Sequence, residues 1–282
     1  MKIKKHFKIF HTWIDLTALA LLWVFYFLIT KYSHVEYFSI VIKVLTLVAT
    51  LEFLSFLFFH FFSNKKNLLL QSFIGGFISS TTTFVRLTNI NLKNKDSNLI
   101  MIGLLSAFIA MLIECLLIYF TFWGLKNIVI LIPIIIQLLI LFMILLNYLK
   151  NSESKLDFSL SNEHPILWKK VLTLASFIIF LIISMRFIGN LIQDLNYLVT
   201  ILFSLFEAHG VFAASISRLS VSNTRQIALE VMLILSGNFI SKSFLVYKNN
   251  SFSLRSKAVI YFFLSIVGSW LSYFTFLWLN LI

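Results

Sequence analysis

Apolar stretches of about 20 residues, long enough to cross a lipid bilayer as helices, recur from one end of the 282-residue chain to the other. The pattern contains nine such segments. They lie at about residues 12–30, 38–62, 67–88, 98–123, 127–149, 167–189, 192–216, 226–247 and 258–280. The polar stretches between them are too short to fold as soluble domains. The pattern predicts an all-α, polytopic membrane protein in which seven to nine segments cross the bilayer.

The order of these segments contains a weak internal repeat. A shift of 132 residues places the second to fifth segments on the sixth to ninth, and it aligns Arg86 with Arg218 and Asn91 with Asn223. We therefore expect two repeats of about four segments each. The predicted divisions are a signal-anchor helix in 1–37, repeat 1 in 38–149, a polar loop in 150–166 and repeat 2 in 167–282.

The third segment is unusual material for a lipid-facing helix. In the sequence SFIGGFISSTTTFVRL, residues 72–87, the adjacent Gly75 and Gly76 precede five consecutive hydroxyl residues. Such residues allow close helix packing, and hydroxyls often bond back to their own helix. One helix face cannot hide five hydroxyls, however. We therefore predict a broken or re-entrant segment whose exposed backbone faces protein or water. In the fifth segment, Pro133 predicts a kink.

Composition and charge narrow the class of protein. The chain is 60% hydrophobic and 12% charged, whereas a soluble domain is about 25% charged. The net charge of +12 would suit nucleic acid, but no polar domain is present to carry such binding, so we predict none. The single cysteine, Cys115, excludes an intramolecular disulfide and a cysteine-based metal cluster. The basic stretch MKIKKHFKIF before the first segment is typical of a signal anchor.

The distribution of basic residues tests how the segments cross. If all nine cross and the N-terminus is inside, 11 Lys and Arg residues lie inside and 10 outside. If the third and seventh segments enter and return to the same side, 16 lie inside and 5 outside, with Lys43 and Lys242 at membrane depth. The positive-inside rule favours the second arrangement, which would make the two repeats inverted. The predicted location is the bacterial inner membrane, with a cytoplasmic N-terminus.

Some ionisable residues lie well inside the apolar segments, where a charge is costly and requires a partner or a function. They are Glu52, Glu114, Glu207, His209, Glu230 and Lys242. Asn238 and Lys242 are four residues apart and so share one helix face. Lys242 could form a structural ion pair with Glu207 or Glu230, or it could present positive charge to an anionic solute. We assign Glu52 and Glu114 to structural contacts.

Glu207 and His209 are two residues apart in the sequence FSLFEAHGVFAAS. A regular helix would point them in nearly opposite directions. Local unwinding near Gly210 would let both face one cavity, where a histidine beside a carboxylate can relay protons or bind a cation. A structural hydrogen-bonded pair is the alternative.

Three motifs, in this order, resemble those of one family. GGFISSTTT, residues 75–83, resembles the Gly-Gly-x-x-Ser-Ser-Thr signature of an uncharacterised bacterial multi-pass membrane family that is often fused behind an MgtC/SapB-type domain. EAHGVFAAS, residues 207–215, is similar to its acidic-x-His-Ala motif, although Glu207 stands where Asp is more frequent. NFISK, residues 238–242, is similar to its Asn-x-x-x-Lys motif. The resemblance covers about residues 40–280 and implies a permease.

The repeat, the broken segments and the polar groups at membrane depth favour a secondary transporter or permease for a polar or anionic solute. We predict solute binding by Gly75, Gly76, Ser79, Ser80, Thr81, Thr83, Asn238 and Lys242, and proton coupling or ion binding by Glu207 and His209. No Walker motif is present, so the energy would come from a gradient. We predict no metal or cofactor. The partners are the lipid bilayer and the solute, and homo-oligomerisation stays open.

Two other functions compete with transport. A membrane-embedded regulatory or scaffold protein of a partner complex would use the same polar residues for structure alone. An intramembrane enzyme acting on a lipid-linked substrate could combine Ser79 or Ser80 with His209 and Glu207. The sequence lacks a nucleophile-elbow motif, so we predict that the protein is not an enzyme.

Overall fold

The structure, a computed structural model, describes residues 2–32, 68–89, 97–150, 195–206, 208–218, 224–249 and 252–279, with scattered helical positions within 39–57 and 168–184. Apart from short turns, these residues are helical, and they contain no strand. The predicted all-α class is therefore confirmed for the part of the chain that the structure describes.

Eight α-helices and one short 3₁₀ helix can be delimited in the described ranges. They are α1 (Lys2–Tyr32), α2 (Leu68–Thr88), α3 (Ser97–Trp123), the 3₁₀ helix (Ile128–Leu131), α4 (Ile132–Lys150), α5 (Leu195–Ser204), α6 (Ala208–Arg218), α7 (Thr224–Asn249) and α8 (Phe252–Trp278).

Four helical stretches are long and apolar enough to cross a membrane, by length and composition. They are Ser97–Trp123, Ile128–Lys150, Thr224–Lys248 and Leu254–Trp278. These coincide with the predicted fourth, fifth, eighth and ninth segments. The apolar parts of α1 and α2, Trp13–Ile29 and Leu68–Phe77, are shorter. The protein is therefore membrane-embedded, whereas the full count of nine segments stays a prediction.

Helix α3 lies at the centre of the bundle. It is apolar around its whole circumference, as expected of a helix surrounded by others, and 89% of its most apolar window is buried. It packs against α2, α4, α6 and α8. Three buried rings from different helices meet beside it: the Phe108 ring stacks on Phe262 with a centroid distance of 5.0 Å, and Phe84 lies 5.9 Å from Phe262.

Polar side chains join α4 to α8. Gln137 Nε2 donates to Ser265 Oγ at 3.4 Å, and Ser269 Oγ donates to the Pro133 carbonyl at 3.0 Å. Near the kink predicted at Pro133, the segment changes from a 3₁₀ helix to an α-helix. The 3₁₀ helix ends at Leu131, and Pro133 is the second residue of α4. At a helix start the missing N–H of proline leaves no hydrogen bond unmade.

Candidate functional site

Ser79 divides α2 into two helical halves. Its backbone is extended, with φ −167° and ψ 102°. Its Oγ accepts a hydrogen bond from the Thr82 backbone N–H at 3.3 Å and donates one to Thr82 Oγ1 at 2.9 Å. An extended residue whose side-chain oxygen binds the N–H three positions later is a helix N-cap. The interruption predicted in this segment is therefore present, and residues 80–88 form what we call the first half-helix.

The hydroxyl run is distributed between the inside and the outside of the protein. Ser80 and Thr83 are buried, Ser79 and Thr81 are half-buried, and Thr82 is exposed. The cap and the start of the first half-helix therefore present hydroxyl groups that remain accessible, while the rest of the run packs into the bundle.

The first half-helix is too short to cross a bilayer. Nine residues span about 14 Å, against about 30 Å for the hydrocarbon core. Arg86, in its last turn, is exposed. Ser79 lies seven residues before this charged side chain, about 10 Å along the helix axis.

The glycine pair lies in the N-terminal half of α2, and both residues are buried. A Cβ on Gly76 would come within 2.6 Å of the Ala107 carbonyl oxygen and 2.8 Å of Ala110 Cβ, both on α3. Gly76 thus allows the backbones of α2 and α3 to approach closely. Gly76 therefore has the role in close helix packing that is one interpretation of the glycine pair in the sequence.

Lys242 of α7 reaches the start of the first half-helix. Its side chain is 1% exposed, and Nζ donates a hydrogen bond to Thr81 Oγ1 at 2.5 Å. Nζ also lies 5.4 Å from the centroid of the Phe84 ring, within cation–π range. Glu230 is twelve residues earlier on the same continuous helix, about 18 Å away along its axis. An ion pair between Lys242 and Glu230 is therefore excluded.

Asn238 lies one turn before Lys242 and contacts a different helix. Its Nδ2 is 2.6 Å from Met111 Sδ on α3, and its side chain is 3% exposed. The shared face predicted for Asn238 and Lys242 is thus directed into the protein. From this face α7 touches both α2 and α3.

A second interruption separates α5 from α6. The backbone N–H groups of Leu205 and Phe206 donate to the carbonyls of Ile201 and Phe203 at 3.3 and 3.0 Å, which forms a turn. This turn lies a few residues before Gly210, where the sequence predicted local unwinding, and Gly210 itself is a buried residue within α6. We call α6 the second half-helix; its 11 residues span about 16 Å. Glu207 lies outside the described residues, so its role stays a prediction.

His209 is the second residue of the second half-helix, and its imidazole faces an acid of α3. His209 Nε2 lies 3.2 Å from Glu114 Oε2. The two residues are 7% and 2% exposed. Sequence reasoning did not find this contact, because Glu114 precedes His209 by 95 residues and no spacing rule joins them. The available signal was the cost of a carboxylate in an apolar segment.

Each of the two charged contacts joins one half of the chain to the other. Lys242, in the C-terminal half of the chain, contacts the first half-helix. Glu114, in the N-terminal half of the chain, contacts the second half-helix. Helix N-termini carry partial positive charge, which favours an anion or acid beside them. Glu114 supplies such an acid at the second half-helix. At the first, Lys242 adds to the positive charge.

The described contacts also concern metal binding and intramembrane catalysis. No group of three His, Cys, Asp or Glu side chains that could hold a metal ion occurs among the described residues. Ser79 Oγ is bonded to Thr82, and His209 faces Glu114, so these contacts do not join a serine nucleophile to the histidine.

Fold and site together define an all-α membrane-embedded protein with two interrupted helices and buried charged side chains beside their breaks. The chain belongs to the family described as a domain of unknown function, DUF4010, whose model matches residues 46–248. The match includes both half-helices, Glu114 and Lys242. Neither a curated protein nor a solved structure matches the chain.

Proposed function

We propose that this protein is a secondary transporter of a small anionic solute in the bacterial inner membrane. The proposal rests on the contact between buried Lys242 and Thr81 at the start of the first half-helix, which Ser79 caps. Discontinuous membrane helices whose N-termini point at anionic groups of the substrate are a recurring binding element of transporters.

Electrostatics gives the reason for an anion. A helix N-terminus is equivalent to about half a positive charge, and the ammonium of Lys242 adds a full one beside it. A concentration of positive charge of this kind attracts a small anion. The accessible hydroxyls of Ser79, Thr81 and Thr82 would then bind the oxygens of a carboxylate, phosphate or sulfate.

The proposal includes the inverted repeat of the two halves of the chain. The interruption at Ser79 and the turn at Leu205 and Phe206 are 126 and 127 residues apart, close to the shift of 132 in the sequence. The packing of α2 on α7 and of α6 on α3 is what a two-fold relation between the halves would produce.

In the proposed topology, α2 and the α5–α6 pair enter from opposite sides and return, and the N-terminus is cytoplasmic. We propose the same divisions of the chain as the sequence predicts, with a signal-anchor helix in 1–37, repeat 1 in 38–149, a polar loop in 150–166 and repeat 2 in 167–282. Labelling tests this in a variant whose Cys115 is replaced. Of single cysteines at the exposed positions Asn89 and Arg225, only the one at 225 should react with an impermeant reagent added outside. Labelling of both from the same side would contradict the inverted repeat.

Binding of an anion can be tested before the solute is known. A ligand that binds the folded state stabilises it by about 2.7 kcal/mol at one hundred times its Kd. We expect acetate, succinate, inorganic phosphate or sulfate to raise the unfolding temperature of the detergent-solubilised protein. Lys242→Ala should abolish the increase. Lys248→Ala, which removes an exposed lysine at the end of the same helix, should not.

Transport itself is measured as uptake of the same four radiolabelled anions into proteoliposomes under an inward proton gradient. We expect at least about a tenfold loss in Lys242→Ala, the effect of losing about 1.4 kcal/mol of binding. A wild-type protein that neither binds nor takes up any of these anions would contradict the proposal.

One observation favours the regulatory or scaffold function instead. Lys242 and His209 both contact side chains of this chain, as purely structural polar groups would. That function predicts that Lys242→Ala weakens the fold without affecting anion binding, and that a stable partner copurifies with the wild-type protein.

A further inference from the structure

The contact between Glu114 and His209 places two titratable groups deep in the protein. Imidazole and carboxylate oxygen are 3.2 Å apart, and both side chains are buried. Histidine is the side chain whose ordinary pKa puts its charge change in the physiological range. Acidic and histidine side chains inside membrane segments form the proton relays of many transporters.

Other titratable groups occupy the helices packed against α3 and α6. They are Cys115 and Tyr119 of α3, Arg86 of α2, Tyr148 and Lys150 of α4, Tyr197 of α5, Arg225, Glu230, Lys242, Tyr247 and Lys248 of α7, and Arg255, Lys257, Tyr261 and Tyr273 of α8. Of the charged ones, only Glu230 and Lys242 are buried. On these helices, the buried charged side chains other than the pair itself are therefore Glu230 and Lys242.

A contact between α3 and α7 lies about one helical turn from Glu114 and one turn from Lys242. Glu114 is three residues after Met111 on α3, and Lys242 is four residues after Asn238 on α7. Residues at these spacings share a helix face. Met111 Sδ and Asn238 Nδ2 are in contact at 2.6 Å. The face of α3 that holds the acid therefore touches the face of α7 that holds the lysine.

We propose that Glu114 and His209 bind the proton that drives the transporter, so this inference rests on the proposed function. Without the proton, the pair is a carboxylate and a neutral imidazole with a net charge of −1. Taking up one proton between Nε2 and the carboxylate makes the pair neutral, and releasing it on the other side restores −1. Beside the fixed charge of Lys242, uptake of one proton and one anion leaves the total charge unchanged.

The assignment changes the acid expected to partner His209. We assign the role of this acid to Glu114, on a helix that contacts the second half-helix directly, whereas Glu207, proposed from the sequence, lies outside the described residues. Reciprocal coupling follows: if the proton favours binding of the anion, the anion raises proton affinity by the same factor. We expect the anion to bind at least about fivefold more tightly at acidic than at alkaline pH, within the usual range of such coupling.

Infrared difference spectra between acidic and alkaline pH test the proton site without any solute. The wild-type spectrum should contain a carboxyl signal that disappears in Glu114→Gln and shifts in His209→Gln. Glu230→Gln, which removes a buried acid of α7, should leave that signal in place. A Glu114→Gln spectrum that coincides with the wild-type spectrum would overturn the proposal. If Glu114→Gln does not fold, His209→Gln decides, since an unshifted carboxyl signal in a folded variant also overturns it.

A transport measurement separates this proposal from the one on which it rests. With an anion that the wild-type protein takes up, Glu114→Gln should lose proton-driven accumulation at least about tenfold. It should still exchange labelled for unlabelled anion without a gradient, whereas Lys242→Ala should lose both. Accumulation by Glu114→Gln at the wild-type level overturns the proton site and leaves the transporter standing. Failure of the wild-type protein to move any anion overturns the transporter, and the infrared result still decides whether the pair binds a proton.

Discussion

The two half-helices begin in similar positions but in different ways. The first starts at one extended residue, Ser79, whose side chain caps it. The second follows a turn at Leu205 and Phe206, where the Phe206 side chain is 74% exposed. Each start then meets a buried ionisable side chain from a long helix of the other half of the chain.

The ionisable side chains at these two starts differ, and the two proposals assign them different tasks. Lys242 brings a positive charge to the first start, where we propose that an anion binds. Glu114 and His209 bring a carboxylate and an imidazole to the second start, where we propose that a proton binds. Variants that act on only one of the two starts are the way to test this comparison.

The largest loss of stability is expected for His209→Ala. Removing one partner of a buried pair costs about 3–5 kcal/mol, because the other charge remains buried. The free energy of unfolding, measured by denaturant titration in detergent, should fall accordingly. Adding Glu114→Gln to His209→Ala should recover a large part of the loss, because no charge then remains. A double variant no more stable than His209→Ala would argue against the pairing.

A smaller effect, about 2–3 kcal/mol, is expected for Gly76→Ala. Its Cβ would be forced against the Ala107 backbone of α3, and overpacking of this kind typically costs 1–3 kcal/mol. Gly237→Ala is the matched variant on the other side, where the Cβ would overlap Ser204 Oγ. We expect Gly237→Ala to cost less, and Ser204→Ala to compensate part of it. Equal costs in unfolding experiments would mean that the two contacts are equally rigid.

Ser79→Ala should destabilise the protein by about 1 kcal/mol, the usual cost of losing an N-cap. Ser79→Asn retains a capping side chain and should remain close to the wild-type protein in thermal unfolding. Thr82→Val, which preserves the capped backbone N–H, serves as the control for the loss of the hydroxyl pair. If Ser79→Ala and Thr82→Val unfold at the same temperature, the hydrogen bond between the two hydroxyl groups accounts for the loss of stability, and the cap does not contribute.

The smallest change in stability is expected for Lys242→Met. Replacing a buried charge with an apolar side chain of similar volume is often neutral or stabilising. We therefore expect the free energy of unfolding to change by less than about 1 kcal/mol, while the stabilisation by anions disappears. This combination distinguishes a lysine retained for binding from one retained for the fold. Strong destabilisation of a variant that still binds anions would indicate the latter.

The sequence predicted the membrane helices well, because apolar length is a local property. The predicted segments 98–123 and 127–149 differ from the observed helices by only a residue or so at each end. The hydroxyl run also predicted the interruption that the structure places at Ser79, since local polarity and a good N-cap occur in the same few residues. Lys242 could be singled out because its charge is far from either end of its segment.

The contacts between segments could not be predicted in the same way. The contact between His209 and Glu114 joins residues 95 positions apart in sequence, whereas the predicted pairing with Glu207 lies outside the described residues. The break expected near Gly210 lies at Leu205 and Phe206. For the partner of His209, the deciding side chain lies on another helix, where residue spacing carries no information.

The polar seam between α4 and α8 limits which parts of this protein can slide. Moving α8 by one turn along α4 would separate Ser265 from Gln137 and Ser269 from the Pro133 carbonyl, in surroundings without water to replace them. Gly268, which lies against the Ile140 side chain, would meet a different part of α4. We therefore expect α4 and α8 to keep their positions relative to each other. If the protein opens alternately to the two sides of the membrane, the helices expected to move are the short ones that start at Ser80 and Ala208.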